Sequence, residues 1–290
     1  MDSGVPARPG AEVLDEVAAG ADAQMGAENF PVALRILPPA PRAQLAAVYA
    51  FARFVDDVGD RAPGSPDDRL KLLDAIENDL LNLLGDGARL APVAGLRPLV
   101  RDRGIPLEPF LDLVEANRID QRTSAYDTFA DLLGYCRFSA APVGRIVLHV
   151  AGAATAQNIA DSDDVCNALQ VLEHCQDVGE DARVGRVYLP ASELHAAGVA
   201  DDELRGDRTG TALRGVLAVQ VARSESLLHR GDPLVRRLTG WARFAVAGYV
   251  AGGLATAAAL RRANYDVLSH HVSPSRAGTV TRALRLVAPW

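Results

Sequence analysis

The sequence predicts an all-α fold, and three observations predict it. Aromatic residues make up 5% of the 290 residues, β-branched runs are few, and no Asn-Gly or Asp-Gly turn sits between strand-like flanks. Ala, Leu, Arg, Glu and Asp recur at helical spacing instead. Pro and Gly fall between these periodic stretches, where they punctuate rather than interrupt.

The elements follow in order. Pro38-Pro39 and Pro41 precede a helix expected from about Arg42 to Asp60, and the turn Ala62-Pro63-Gly64-Ser65-Pro66 closes it. Further helices are expected over Asp67–Leu84, Glu108–Arg118, Thr128–Ala154, Asp163–Arg183, Arg208–His229 and Leu234–Ala263. No Ser/Gly/Pro-rich linker divides the chain. A single domain over 13–290 is therefore expected, preceded by a disordered stretch over 1–12.

Composition narrows the class. An apolar fraction of 49% with 23% charged residues is that of a globular enzyme. The formal net charge of −7 argues against a nucleic-acid partner, because phosphate backbones are bound through excess Lys and Arg. Cys136, Cys166 and Cys175 have no metal-ligand spacing and lie in apolar helical contexts, which fits a reducing cytoplasmic compartment. The N-terminus has no basic segment ahead of an apolar core, so no signal peptide is read. Phe244–Leu260 carries no charge over 17 residues but is rich in Ala and Gly, and it reads as a buried helix rather than a membrane span. GxSxG, P-loop and GxGxxG motifs are all missing, and His149, His174, His195 and His229 lack zinc spacing.

Two acidic faces carry the chemistry. Tyr49, Arg53, Asp56 and Asp60 fall within about a 60° arc of one helix, with Asp57 projecting to the side, toward a metal-bound water or solvent. Gln170, Glu173, Asp177 and Asp181 fall within an arc of about 80° on another. Carboxylates stacked in the C-terminal half of a helix repel one another and oppose the macrodipole, so they cost stability unless cations compensate. Mg²⁺ suits them, since it prefers oxygen ligands and bridges one or two carboxylates to substrate phosphates. A diphosphate is the natural ligand, with Arg53 and Gln170 donating hydrogen bonds to its oxygens as its C–O bond breaks. One such stripe alone reads as a solvated face; two matched stripes point to a shared cation site that binds a diphosphate and assists its departure.

These residues resemble the squalene/phytoene synthase family. Tyr49-Ala-Phe-Ala-Arg53-x-x-Asp56-Asp57-x-x-Asp60 looks like its first aspartate-rich motif, and Asp177-Val-Gly-Glu180-Asp181-x-Arg183-x-Gly185-Arg186-Val-Tyr188-Leu-Pro190 looks like its second. Tyr135-Cys136 followed by Pro142-Val143-Gly144 is similar to the central helix segment, and the likeness runs from about Asn29 to Leu268. Glu28-Asn29-Phe30-Pro31-Val32, Gln176 and Gly252-Gly253 look most like the bacterial hydroxysqualene synthase branch of hopanoid biosynthesis. Three positions depart from the family pattern: Glu173 in place of Asn, Ala141 in place of Asn and Phe138 in place of Tyr.

The resemblance implies the isoprenoid synthase helical bundle with a central cavity, and ionisation of presqualene diphosphate followed by water capture. It implies two or three Mg²⁺ ions bridged by diphosphate and held by Asp56, Asp60, Glu173, Asp177 and Asp181, with no NAD(P)H. Tyr135 and Tyr49 are the implied catalytic residues, with Arg53, Gln170, Phe30, Phe51, Arg186 and Tyr188 binding substrate. A presqualene diphosphate synthase is the implied functional partner, and a lipid-soluble substrate is compatible with peripheral contact at the inner face of a membrane. Two rival readings share these motifs: head-to-head condensation of farnesyl or geranylgeranyl diphosphate, and a non-catalytic helical family member.

Overall fold

Proline and side-chain caps decide where the helices begin. The computed structural model describes residues 9–24, 37–85 and 87–288, and among them the β-pairing recorded is one isolated parallel bridge, Ala125 with Val187. The all-α expectation holds. The helices gather into two compact units, residues 1–122 and 123–290.

In the first unit, α1 (Pro9–Gln24) packs against α2 (Pro39–Arg61). The expected disordered start lies in part over residues 1–8, outside the described residues; from Pro9 the chain is helical. Pro39 and Pro41 stand in the first turn of α2, where a missing N–H breaks no intrahelical bond, so this helix starts before Arg42. α3 (Pro66–Leu81) opens on a capping box in which Ser65 Oγ accepts from Asp68 N and Asp68 Oδ2 accepts from Ser65 N, worth about 1 kcal/mol. The short α4 (Ala91–Ala94) and α5 (Arg97–Arg103) lead to α6 (Glu108–Asp120).

Leu45, Val48, Phe51, Phe54, Val55 and Val58 form the buried stripe of α2. Phe51 meets Phe110 of α6 edge-on, with ring centroids 5.8 Å apart. Burying each such side chain contributes roughly 1.5–3 kcal/mol. Arg118 of α6 is buried and reaches Asp74 at 2.8 Å and Glu77 at 2.5 Å on α3, so its charge is balanced where it is desolvated.

In the second unit, α7 (Phe129–Ser139) and α8 (Ala141–Val150) stand where one helix was expected. Pro142 cannot donate to Phe138, and the ladder is interrupted there. The expected helix to Arg183 likewise divides into α9 (Ala156–Gln176) and α10 (Val178–Arg183), because Asp177 takes φ −98°, ψ 13°. That bridge region often holds active-site residues. After α11 (Ala191–Ala197) comes α12 (Thr211–Arg237), which runs through Pro233 rather than stopping at His229. Gly231, between the two helices expected here, is a point of close approach: a Cβ there would lie 2.3 Å from Val165 Cγ2 of α9. The break falls instead before α13 (Gly240–Arg262), where Gly240 has φ +56°. α14 (Arg276–Val287), which the sequence reading did not mark as a helix, packs on α13.

Candidate active site

The first acidic motif occupies the C-terminal half of α2. Asp57 is buried and takes Arg53 Nε at 3.2 Å and Arg61 Nη1 at 3.1 Å. It therefore does not face open solvent, one of the two places the spacing suggested; it holds Arg53 one turn earlier on the helix. Asp56 points elsewhere, and its Oδ1 accepts from Nδ2 of Asn117 on α6 at 3.0 Å.

Glycine makes that contact fit. A Cβ on Gly59 would lie 2.1 Å from Asn117 Oδ1, so only a bare backbone lets α6 bring its amide this close. Gln121 Nε2, one turn on, donates to Gly59 O at 3.0 Å. Asp56 keeps an exposed edge, but the protein packed around it displaces much of its water shell; that desolvation is the largest influence on the carboxyl and pushes its pKa up to about 6. Asn117 works against this by bonding the ionised form, Asp60 and Asp120 add repulsion, and Arg53 offsets part of it. Sequence reasoning missed Asn117 and Asp120, although 117, 120 and 121 recur at i, i+3, i+4 as polar residues on one face.

The remaining first-unit expectations divide. Tyr49 lies one turn before Arg53 on α2. Phe51 is 0% exposed and packs against Phe110 in the core of its unit. Phe30 lies outside the described residues.

The second motif runs from α9 into α10. Glu173, Asp177, Glu180 and Asp181 gather there, and Asp177 has its pKa pushed up to about 6, first by burial and then by repulsion from Glu173, Asp181 and Glu180. His271, exposed on the segment after α13, opposes that shift. The same segment is anchored by Gln176 Nε2, which donates to Val272 O at 2.5 Å.

Beside the acids lies an aromatic cluster. His174 stacks on Tyr188 with centroids 3.7 Å apart and 13° between planes, and Tyr135 lies 5.6 Å from Tyr188 and 5.3 Å from Tyr126. Backbone pairing sets this register, since Val187 N donates to Ser124 O at 2.7 Å and Ala191 N to Tyr126 O at 2.9 Å. Gln170 Nε2 is 3.3 Å from His174 Nε2, and His174 Nδ1 is 3.8 Å from Asp181 Oδ2. Arg186, whose N–H donates to Asp181 O at 2.9 Å, shares a small recess with His174, Asp181 and Tyr188. Tyr126 and His174 were not singled out for a role from sequence: Tyr126 precedes a helix, and His174 was tested only for zinc spacing.

Chemically, each motif supplies carboxylate oxygens and no sulfur, the donor chemistry of a hard divalent cation. Among the described residues no group of three or more His, Cys, Asp or Glu side chains is gathered to hold a metal by itself. Carboxylates whose pKa is raised by one another and by burial are poised to gain from a cation.

A family model described as squalene/phytoene synthase matches residues 23–278. The chain is 39% identical over 218 residues to hydroxysqualene synthase of Sinorhizobium fredii, covering 75% of this chain and 73% of that one. It is 39% identical over 212 residues to hydroxysqualene synthase of Rhodopseudomonas palustris, covering 73% and 71%. A crystal structure of squalene synthase HpnC from Alicyclobacillus acidocaldarius superposes with a TM-score of 0.78 at 36% identity, covering 88% of this chain and 96% of that one.

Proposed function

We propose, from the premise that the chain belongs to the squalene/phytoene synthase family and is an isoprenoid synthase, that it converts presqualene diphosphate and water to hydroxysqualene and diphosphate in the cytoplasm. The observation that carries this reading is the 39% identity, over most of both chains, to relatives named hydroxysqualene synthase. The two acidic motifs, and the aromatic cluster next to the second of them, support it.

In this reading Asp56, Asp60, Asp177, Asp181 and Glu173 hold Mg²⁺, and Arg53, Gln170 and Arg186 bind the diphosphate. When bound, Mg²⁺ neutralises the charge that builds on the departing diphosphate. Asp57 keeps Arg53 extended along α2 through the 3.2 Å pair, and Asn117 aims Asp56. The C–O bond breaks with its electron pair leaving on diphosphate. Tyr135, Tyr126 and Tyr188 offer ring faces to the carbocation and exclude stray water until one molecule adds to carbon and releases a proton.

The test is incubation of purified protein with Mg²⁺ and, separately, presqualene diphosphate or farnesyl diphosphate, without nicotinamide, followed by mass analysis. A C30 alcohol from presqualene diphosphate is expected. A condensed product from farnesyl or geranylgeranyl diphosphate would assign the head-to-head reaction instead, and no turnover of any of them would overturn both.

A further inference from the structure

The acidic chain is not acidic throughout. Residues 261–290 hold five arginines, Arg261, Arg262, Arg276, Arg282 and Arg285, against one acid, Asp266. Within that stretch α14 contains no Asp or Glu, and Arg282 and Arg285 are exposed. The same helix leaves apolar side chains in solvent: Val280 is 58% and Leu284 63% exposed, with Ala288 exposed one turn further on. These three recur at i, i+4, i+8 and so form a stripe along one flank, with the two arginines on the other.

A further apolar side chain is exposed where α13 meets the end of α14. Arg243 Nη2 donates to Val287 O at 3.2 Å, which fastens the start of α13 to the end of α14, and Phe244, next in sequence, is 61% exposed. α13 is long and apolar enough to cross a membrane by length and composition, yet half of its apolar window is buried against its own unit. It is therefore a packed helix with one apolar edge showing, not a free span.

We propose that α14 together with Phe244 is a docking surface for an anionic lipid bilayer. Val280, Leu284 and Phe244 enter the headgroup boundary, and Arg282 and Arg285 meet lipid phosphates. An apolar stripe flanked by arginines is the composition of an interfacial helix, and the absence of acids on α14 makes the surface complementary to negative lipid. A second copy of the chain fits less well, because α14 brings arginines and no carboxylates to a self-complementary contact. Nucleic acid has no use for the apolar stripe.

This inference is independent of which reaction the chain catalyses. The full chain is sedimented with vesicles of phosphatidylcholine alone, or of equal parts phosphatidylcholine and phosphatidylglycerol, at low and high salt. Binding to the phosphatidylglycerol vesicles alone, weakened by salt, is expected. Each arginine near an anionic surface contributes about fivefold, so R282E/R285E lowers partitioning by more than tenfold, and V280D/L284D does the same. Both pairs are exposed, so melting temperatures stay near that of the parent. Equal binding to both vesicle types, no binding, or binding unchanged in either variant overturns the proposal. A lipid-free dimer that V280D/L284D dissociates in the ultracentrifuge also overturns it and assigns the surface to a second copy.

Discussion

Asn117 Nδ2 donates to Asp56 Oδ1 at 3.0 Å, from an amide that sits over the bare backbone of Gly59. The bond fixes one oxygen of the carboxylate. It also stabilises the ionised form against the removal from water that drives the Asp56 pKa upward.

Asn117→Leu keeps the volume of this buried site but removes the donor. A hydrogen bond to a charged group contributes about 1.5–3 kcal/mol, so the half-saturating Mg²⁺ concentration for inorganic diphosphate binding, read by calorimetry, rises about tenfold or more. The melting temperature shifts far less than for a core truncation. An unchanged binding curve would show that Asp56 needs no such support.

A pH dependence follows from two carboxylates. Asp56 and Asp177 both have pKa values near 6 in the folded chain against 3.8 for an ordinary aspartate. Between these values the native state binds more protons than the unfolded state, so this contribution to stability is lost as pH rises from about 4 to about 6. The metal-free protein should melt higher at pH 5 than at pH 7, and Mg²⁺ with diphosphate should narrow the gap. Asp177→Asn should raise the metal-free melting temperature at pH 7 while abolishing turnover. A melting temperature that climbs from pH 5 to 7 in the parent would contradict the assignment.

Glu173 is the largest electrostatic cause of the raised Asp177 pKa, after burial. Glu173→Asn removes that charge, so Asp177 ionises at lower pH and the acid limb of the activity profile moves the same way. Mg²⁺ is held by one fewer carboxylate, and its half-saturating concentration rises several-fold. If the variant and parent curves overlay in both experiments, Glu173 takes no part in the cation site.

What the sequence disclosed was periodic, and what it hid was local. The stripes holding Arg53, Asp56 and Asp60, and Gln170, Glu173 and Asp177, follow from 100° per residue and needed no tertiary knowledge. Asp57 shows the limit: spacing placed it to one side, but burial and its pairing with Arg53 and Arg61 come from packing. The helix breaks at Ala140 and Asp177 turn on single residues inside otherwise helical patterns. The helix expected to end at His229 continues through Gly231 and Pro233 to Arg237, and a glycine that admits a neighbouring helix leaves the same trace in sequence as one that ends its own. The stacking of His174 on Tyr188 joins residues 14 positions apart across the break at Asp177, α10 and the turn after it, and no window-based reading reaches it.

The last prediction separates two adjacent glycines of α13. A Cβ on Gly253 would lie 2.9 Å from both Leu169 Cδ2 and Leu228 Cδ1, whereas one on Gly252 would meet nothing within 4 Å. Both are helical, so Ala at Gly252 gains helix propensity and stabilises by roughly 0.5–1 kcal/mol. At Gly253 the same gain is outweighed by overpacking between α9 and α12, which typically costs about 1–3 kcal/mol. Thermal melts of the two variants should therefore move in opposite directions, Gly252→Ala up and Gly253→Ala down. Equal shifts would mean that the leucines repack freely and that Gly253 sets no limit on how closely these helices approach.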